Sequence, residues 1–156
     1  MRRRDPLATA LAGMPDEYRQ LLAARGGESC RVRKREWQLY AREELIEERY
    51  IDVSPPLPAY RQLEAYAKML ASLGVREEVE YDAEGAEVLM LTKAIAKAAF
   101  AIGEDNGDVL FIRKDRLGEV WCYHHDGGDI EKLADTVAQL KGKAGATRGR
   151  RTSGCS

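Results

Sequence analysis

One stretch of the chain combines residue types that bind ions. AFAIGEDNGDVLFI, residues 99–112, places two glycines and four carboxylate or amide side chains between two apolar segments. Such loops bind calcium through side-chain oxygens or phosphate through backbone N–H groups. If Gly107 takes the glycine position of an EF-hand loop, Ile102 and Arg113 fall at the first and last ligand positions, where neither can bind calcium. The stretch matches no phosphate-loop pattern, and its three acids would repel phosphate. The Asn106–Gly107 pair instead predicts a β-hairpin turn.

The two histidines of the chain are the other candidates for site chemistry. His124 and His125 are followed by Asp126, at the end of a segment with strand-like alternation. Adjacent residues on a strand point to opposite faces, so we expect that these two histidines do not share a metal ion. Catalysis by one of them with Asp126 and a nucleophile such as Ser29 or Ser72 stays open, although nothing in the sequence places these residues together.

The three cysteines do not indicate a metal or disulfide framework. Cys30, Cys122 and Cys155 are odd in number and form no C-x-x-C pair. We therefore predict no disulfide and no zinc knuckle. The sequence leads us to expect no catalytic residue, no metal site and no cofactor.

Charge is distributed unevenly along the chain. The net charge is −1, but residues 141–156 carry five basic residues and no acid, residues 1–5 carry a net +2, and residues 6–140 therefore carry −8. An acidic body argues against nucleic-acid binding and favours a basic partner, although acidity can also serve solubility alone. Apolar runs are too short to span a membrane or to form a secretory signal, so we expect no membrane partner and a cytoplasmic location.

Hydrophobic periodicity predicts the elements that would position these residues. We expect helices over about residues 5–12, 14–26, 41–50, 59–74 and 129–141. Residues 29–40 and 119–125 have strand character, and residues 99–112 are expected to form a hairpin. Residues 76–91 are expected to form a second hairpin around Glu84–Gly85, with Val79 and Tyr81 opposite Val88 and Met90. Residues 92–99 are ambiguous between helix and strand, and residues 143–156 are expected to be a disordered basic tail.

Three of these segments together resemble the SUKH superfamily, which includes the fungal Smi/Knr regulators of cell-wall synthesis and many bacterial immunity proteins. MPDEYRQLLAARGGE is similar to the opening "LP-x-x-Y-x-x-F/L-L-x-x-N-G-G" element of the family, and WQLYAREELIEE is similar to its central strand and helix. FAIGEDNGDVLFI and GEVWCYHHD are similar to its "I-G-x-D-x-x-G-D-x-L-x-x-D…V-x-x-x-x-H" motif. Arg25 replaces the usual Asn before Gly-Gly, and residues 52–95 are longer than the common pattern.

The resemblance implies an α+β fold, in which helices pack around a mostly antiparallel β-sheet. It implies a single domain over residues 1–142, followed by the tail at 143–156, and it implies no catalytic activity. Bacterial members are mostly antitoxins that each block one toxin, often a nuclease or another effector that acts in the cytosol. A basic toxin surface would complement the acidic body of this chain.

We therefore expect an immunity protein that binds a cognate basic toxin and acts without nucleic acid or membrane. The sequence leaves the oligomeric state open, with a monomer favoured. Acids and aromatic side chains are the candidate contact residues: Glu77, Glu78, Glu80, Asp82, Glu84, Glu87, Glu104, Asp105, Asp108, Trp121 and Tyr123. An adaptor or secretion chaperone that binds an effector segment is the alternative. A small hydrolase that uses His124 or His125 is a further one.

Overall fold

The chain folds around one curled antiparallel sheet of six strands. A computed structural model describes residues 5–51, 54–75 and 77–140. In the order in which they pair, its strands are β1 (Ser29–Val32), β2 (Arg35–Leu39), β7 (Ala99–Asp105), β8 (Asp108–Arg113), β9 (Glu119–Tyr123) and β10 (Ile130–Ala134). The expected α+β architecture with a mostly antiparallel sheet is confirmed.

Two short ribbons and several helices surround the sheet. The ribbons pair β3 (Glu48–Arg49) with β4 (Leu57–Pro58) and β5 (Val79–Tyr81) with β6 (Glu87–Leu89). The helices are α1 (Pro6–Ala12), α2 (Asp16–Arg25), α3 (Arg42–Leu45), α4 (Gln62–Ser72) and α5 (Lys93–Lys97), with 3-10 turns at Ala59–Arg61, Lys114–Arg116 and Val137–Gln139. No helix in the described part of the chain is long and apolar enough to cross a membrane.

The core lies on both sides of the central strands. All six residues of β8 are buried, so both faces of the sheet are covered at its centre. The sheet curls far enough for Arg33, in the turn after β1, to reach Glu131 of β10 at 3.5 Å. The curl brings the two edges of the sheet towards each other.

The hairpin predicted at residues 99–112 is confirmed. Asp105 pairs with Asp108 across a two-residue turn, and Asn106 and Gly107 both have positive φ, 50° and 91°. This is the type I′ geometry that an Asn-Gly pair favours. A bulge follows Ala101, and at Gly103 the chain passes so close to β2 that an added Cβ would lie 2.6 Å from the Gln38 carbonyl oxygen.

The helix predicted over residues 129–141 is wrong. Residues 130–134 form β10, which pairs with β9 from Ile130 opposite Tyr123, and only a 3-10 turn follows at Val137–Gln139. The edge of β9 offers unpaired backbone groups, and pairing with them outweighs the helical spacing of the apolar residues. The helix expected over 41–50 is also shortened, because Glu48 and Arg49 pair with β4.

The second hairpin forms with a register different from the predicted one. Val79 pairs with Leu89, and Tyr81 pairs with Glu87, each one residue away from the expected partner. The Asp82 side chain accepts hydrogen bonds from the backbone N–H groups of Glu84 and Ala86, each at 2.9 Å, and these bonds close a longer loop.

The ambiguous segment 92–99 contains both expected elements. Thr92 caps α5 by accepting a hydrogen bond from the Ile95 N–H at 3.4 Å, and β7 begins at Ala99. The tail predicted at 143–156, which includes Cys155, lies outside the described residues.

Candidate protein-binding surface

The β5–β6 ribbon carries the densest negative charge of the chain. We call residues 77–89 the acidic hairpin. Its six acids are all exposed: Glu77, Glu78, Glu80, Asp82, Glu84 and Glu87. None of them forms an ion pair with a basic side chain of the described residues. Their charges therefore face solvent.

One side of the acidic hairpin is fixed to the body of the protein. Just beyond β6, Met90 forms a β-bridge with Asp129, and the Leu91 N–H donates to the Gly128 carbonyl at 3.0 Å. Met90 and Leu91 are buried. These contacts hold the β6 side of the hairpin to the body of the protein, and β5 forms the other side.

Tyr81 is a surface residue that the sequence analysis did not select. It lies on β5 between Glu80 and Asp82, and 69% of its surface is exposed. Exposed tyrosines are frequent anchors in protein interfaces because they offer a large rigid contact area. An aromatic residue that alternates with acids was the signal in the sequence.

The other predicted acids have partners inside the fold. Glu104 accepts a hydrogen bond from the Tyr40 hydroxyl at 2.7 Å and lies 3.5 Å from Arg49. Asp105 accepts from the Arg35 Nε at 2.8 Å. These carboxylates are less available to a partner than those of the acidic hairpin, because their charge is compensated locally.

Asp108 connects three separate segments of the chain. Its Oδ1 accepts a hydrogen bond from the His125 backbone N–H at 3.0 Å and lies 2.6 Å from His125 Nδ1. Its Oδ2 accepts from Arg35 Nη2 at 3.0 Å and lies 3.4 Å from His124 Nδ1. The side chain is only 12% exposed. The carboxylate ties the β7–β8 turn to β2 and to the turn after β9.

Both histidines contact the same carboxylate, although adjacent residues on a strand point to opposite faces. Strand β9 ends at Tyr123, the His124 N–H donates to the Asp129 carbonyl at 2.9 Å, and His125 lies in the turn that follows. The His124 ring lies next to Asp108 Oδ2, and the His125 ring lies next to Oδ1.

This environment shifts two pKa values in opposite directions. Burial disfavours the charged form of Asp108, but hydrogen bonds from His125, Arg35 and His124 outweigh it and lower the pKa to about 2. Burial also disfavours protonated His124. Its contact with Glu131 at 3.3 Å and the charges of Asp129 and Asp108 outweigh that effect and raise its pKa.

Asp108, Cys122 and His124 offer ligand atoms within 4.8 Å of one another, the spacing of a metal site. A cation there would have to displace Arg35 from Asp108. Nucleophilic chemistry is not supported either, because burial raises the pKa of Cys122 to about 12 and keeps the thiol protonated. Cys122 Sγ lies 3.8 and 3.9 Å from the two His124 nitrogens. The cluster therefore fits a structural role, in which Asp108 holds neighbouring segments of the chain together.

The two predicted aromatic contacts lie in the core. Trp121 is 5% exposed and donates to Glu119 at 3.0 Å, under the Arg113 guanidinium. Tyr123 is fully buried, with its ring 5.0 Å from that of Tyr66. Their burial gives both a structural role, and we do not include them in the candidate surface.

The serines weighed as nucleophiles are not brought to a histidine. Ser29 lies on β1, and the Ser72 hydroxyl donates to the Met69 carbonyl at 2.6 Å. Within the described residues neither hydroxyl is hydrogen-bonded to His124 or His125.

The fold and the surface together define an α+β protein with a projecting acidic hairpin and a tightly tied β7–β8 turn. The chain belongs to the SMI1/KNR4 family (SUKH-1), which matches residues 12–141. The match includes the acidic hairpin and the Asp108 cluster. No protein of curated function and no solved structure matches the chain significantly.

Proposed function

We propose that this protein is a non-catalytic immunity protein that binds and neutralises a basic protein toxin through the acidic hairpin. The observation that supports this function most is the set of six exposed acids without ion-pair partners among the described residues. The family includes toxin-immunity proteins, and the proposal assigns this chain to that group.

Charge gives the acidic hairpin two roles in this proposal. At long range, the negative field of the hairpin steers a basic partner into encounter and accelerates association. At contact, the carboxylates pair with the cations that a nuclease, or another cytosolic effector, uses to hold its own anionic substrate. Masking these cations blocks the toxin without any chemical reaction.

Co-expression tests the proposal. The toxin to test is one whose gene is found next to the gene of this protein, and survival of the host is measured with and without the protein. Equal killing in both cases would show that the protein does not neutralise that toxin. Protection by the wild type is the expected result.

A charge-matched pair of variants tests the surface. In one variant the five hairpin acids other than Asp82 become amides: Glu77→Gln, Glu78→Gln, Glu80→Gln, Glu84→Gln and Glu87→Gln. Asp82 is kept because its side chain closes the turn. The control removes five exposed acids elsewhere: Glu17→Gln, Glu36→Gln, Glu43→Gln, Glu47→Gln and Asp126→Asn. We expect the hairpin variant to lose protection and the control to retain it, and equal protection by both would contradict the assignment of the surface.

A further inference from the structure

The hydrogen-bond register of the acidic hairpin shows which backbone groups are free. The Met90 N–H donates to the Glu78 carbonyl at 2.7 Å, and the Asp82 N–H donates to the Ala86 carbonyl at 3.0 Å. Since backbone groups alternate in direction along a strand, those of Glu78, Glu80 and Asp82 point towards β6. The N–H and C=O groups of Val79 and Tyr81 therefore point away from it.

No other strand covers this outer edge within the described residues. β5 and β6 form a two-stranded ribbon, and the opposite edge of the ribbon is the one held to the body at Gly128. Such an open edge is a template for a further strand. Short length and dense charge often protect an edge from pairing with copies of the same chain, and both features are present here.

The negative charge of the acidic hairpin determines which kind of strand can pair with the outer edge of β5. A second copy would bring the same acids against Glu78, Glu80 and Asp82, and like charges on adjacent strands repel. A segment with Lys or Arg at every second position would place its cations beside these carboxylates on one face of the ribbon. On the other face its intervening residues would meet Val79 and the exposed Tyr81 ring.

We propose that β5 is a docking strand, to which a basic extended segment of the partner adds as a third strand. This inference rests on the proposed function and specifies how the partner binds. Backbone hydrogen bonds to Val79 and Tyr81 fix the register of the added segment, and the acids select its charge.

A pair of substitutions at one position separates backbone pairing from side-chain contact. Tyr81→Pro removes the outward N–H and leaves the hydrogen bonds between β5 and β6 in place, because proline is tolerated on an edge strand. Tyr81→Thr removes the same ring but retains the N–H. The probe is the synthetic peptide acetyl-KVKVK-amide, titrated into the full chain labelled with ¹⁵N. We expect Tyr81→Pro to bind the peptide about tenfold more weakly than Tyr81→Thr.

A second peptide keeps the test valid if Tyr81→Pro does not fold. Acetyl-KPKPK-amide carries the same charge but lacks the alternate N–H donors. We expect it to bind the wild type about tenfold more weakly than acetyl-KVKVK-amide, and the latter to slow amide exchange at Val79 and Tyr81.

The outcomes distinguish the two proposals. Equal binding of the two peptides, or no binding of either at millimolar concentration, would overturn the docking strand. After either result, the protection experiment with the charge-matched variants would still test whether the acids of the hairpin bind the toxin. Undiminished peptide binding by the five-amide hairpin variant would instead show that the acids do not select the partner, and would count against the proposed function.

Discussion

Substitution of Asp108 by Asn tests whether one carboxylate ties the β7–β8 turn to the rest of the fold. The change keeps the size of the side chain and removes its charge. Arg35 then loses an ionic partner at 3.0 Å, and the Nδ1 atoms of His124 and His125 lose a charged carboxylate at 3.4 and 2.6 Å. Because Asp108 is 12% exposed, solvent replaces little of this interaction.

The pKa of Asp108 sets the size and the pH dependence of the effect. A fall from the ordinary value of 3.8 to about 2 means that the folded state favours the ionised form. A depressed acid pKa stabilises the fold above its unfolded value and loses this contribution as pH falls through the folded value. The contribution amounts to about 2 kcal/mol at pH 7, about 1 kcal/mol at pH 3 and under about 0.5 kcal/mol at pH 2.

Urea unfolding of the wild type and of Asp108→Asn between pH 3 and pH 7 measures this dependence. The difference in the free energy of unfolding is expected to shrink by about half over that range. Asp126→Asn is the control, because Asp126 is exposed in the same turn as the histidines and should change stability little. A cost of Asp108→Asn that is the same at pH 3 and pH 7 would refute the electrostatic reasoning and assign the cost to packing.

Two further substitutions and one labelling experiment test other parts of the sheet. His124→Gln should destabilise the fold more at pH 6 than at pH 9. The pKa of His124 is raised in the folded state, so its protonated form stabilises the fold below pH about 6.5, and this contribution is lost as the pH rises through the pKa of the folded state. Equal losses in the free energy of unfolding by urea at both pH values would contradict this. Gly103→Ala should lower the free energy of unfolding by about 1–3 kcal/mol, since the new Cβ would lie 2.6 Å from the Gln38 carbonyl oxygen. An unchanged midpoint of urea unfolding would show that β2 moves enough to accommodate the new Cβ. Cys30 and Cys122 should resist a thiol reagent until the protein unfolds, because both are buried with pKa values raised to about 11 and about 12; peptide mapping after brief labelling checks this, and rapid labelling of either in the native state would contradict it.

Local chemistry made part of the fold predictable from the sequence. The turn at Asn106–Gly107 depends on the φ values of two adjacent residues, so the sequence alone was sufficient to locate it. The conformation of residues 130–134 depends instead on the free edge of β9, which the local sequence does not show. The apolar spacing of that segment favours a helix, and pairing with β9 makes it a strand.

The same distinction applies to the candidate surface. The acids of residues 77–87 were identified from sequence because they are dense in one short segment, and they are exposed. The contacts of Asp108 could not be identified in this way, because they join residues that are 73 and 17 positions apart. Trp121 and Tyr123 were predicted to be surface contacts, but both are buried. A strand that is buried on both faces has no alternation of apolar and polar residues, so its sequence does not separate core from surface positions.

Two groups of carboxylates in this protein should therefore be separated by different measurements. Asp108 and Asp105 have cationic partners within the fold, so their neutralisation should reduce stability. The acids of the acidic hairpin have no such partners among the described residues, and their mutual repulsion is relieved when they become amides. The five-amide hairpin variant should then unfold at the same urea concentration as the wild type, or at a higher one, while it loses protection against the toxin. Asp108→Asn should show the opposite pattern, with reduced stability and retained protection under conditions where it remains folded. If both variants lost stability and protection together, the division of the charges into a structural set and a binding set would be wrong.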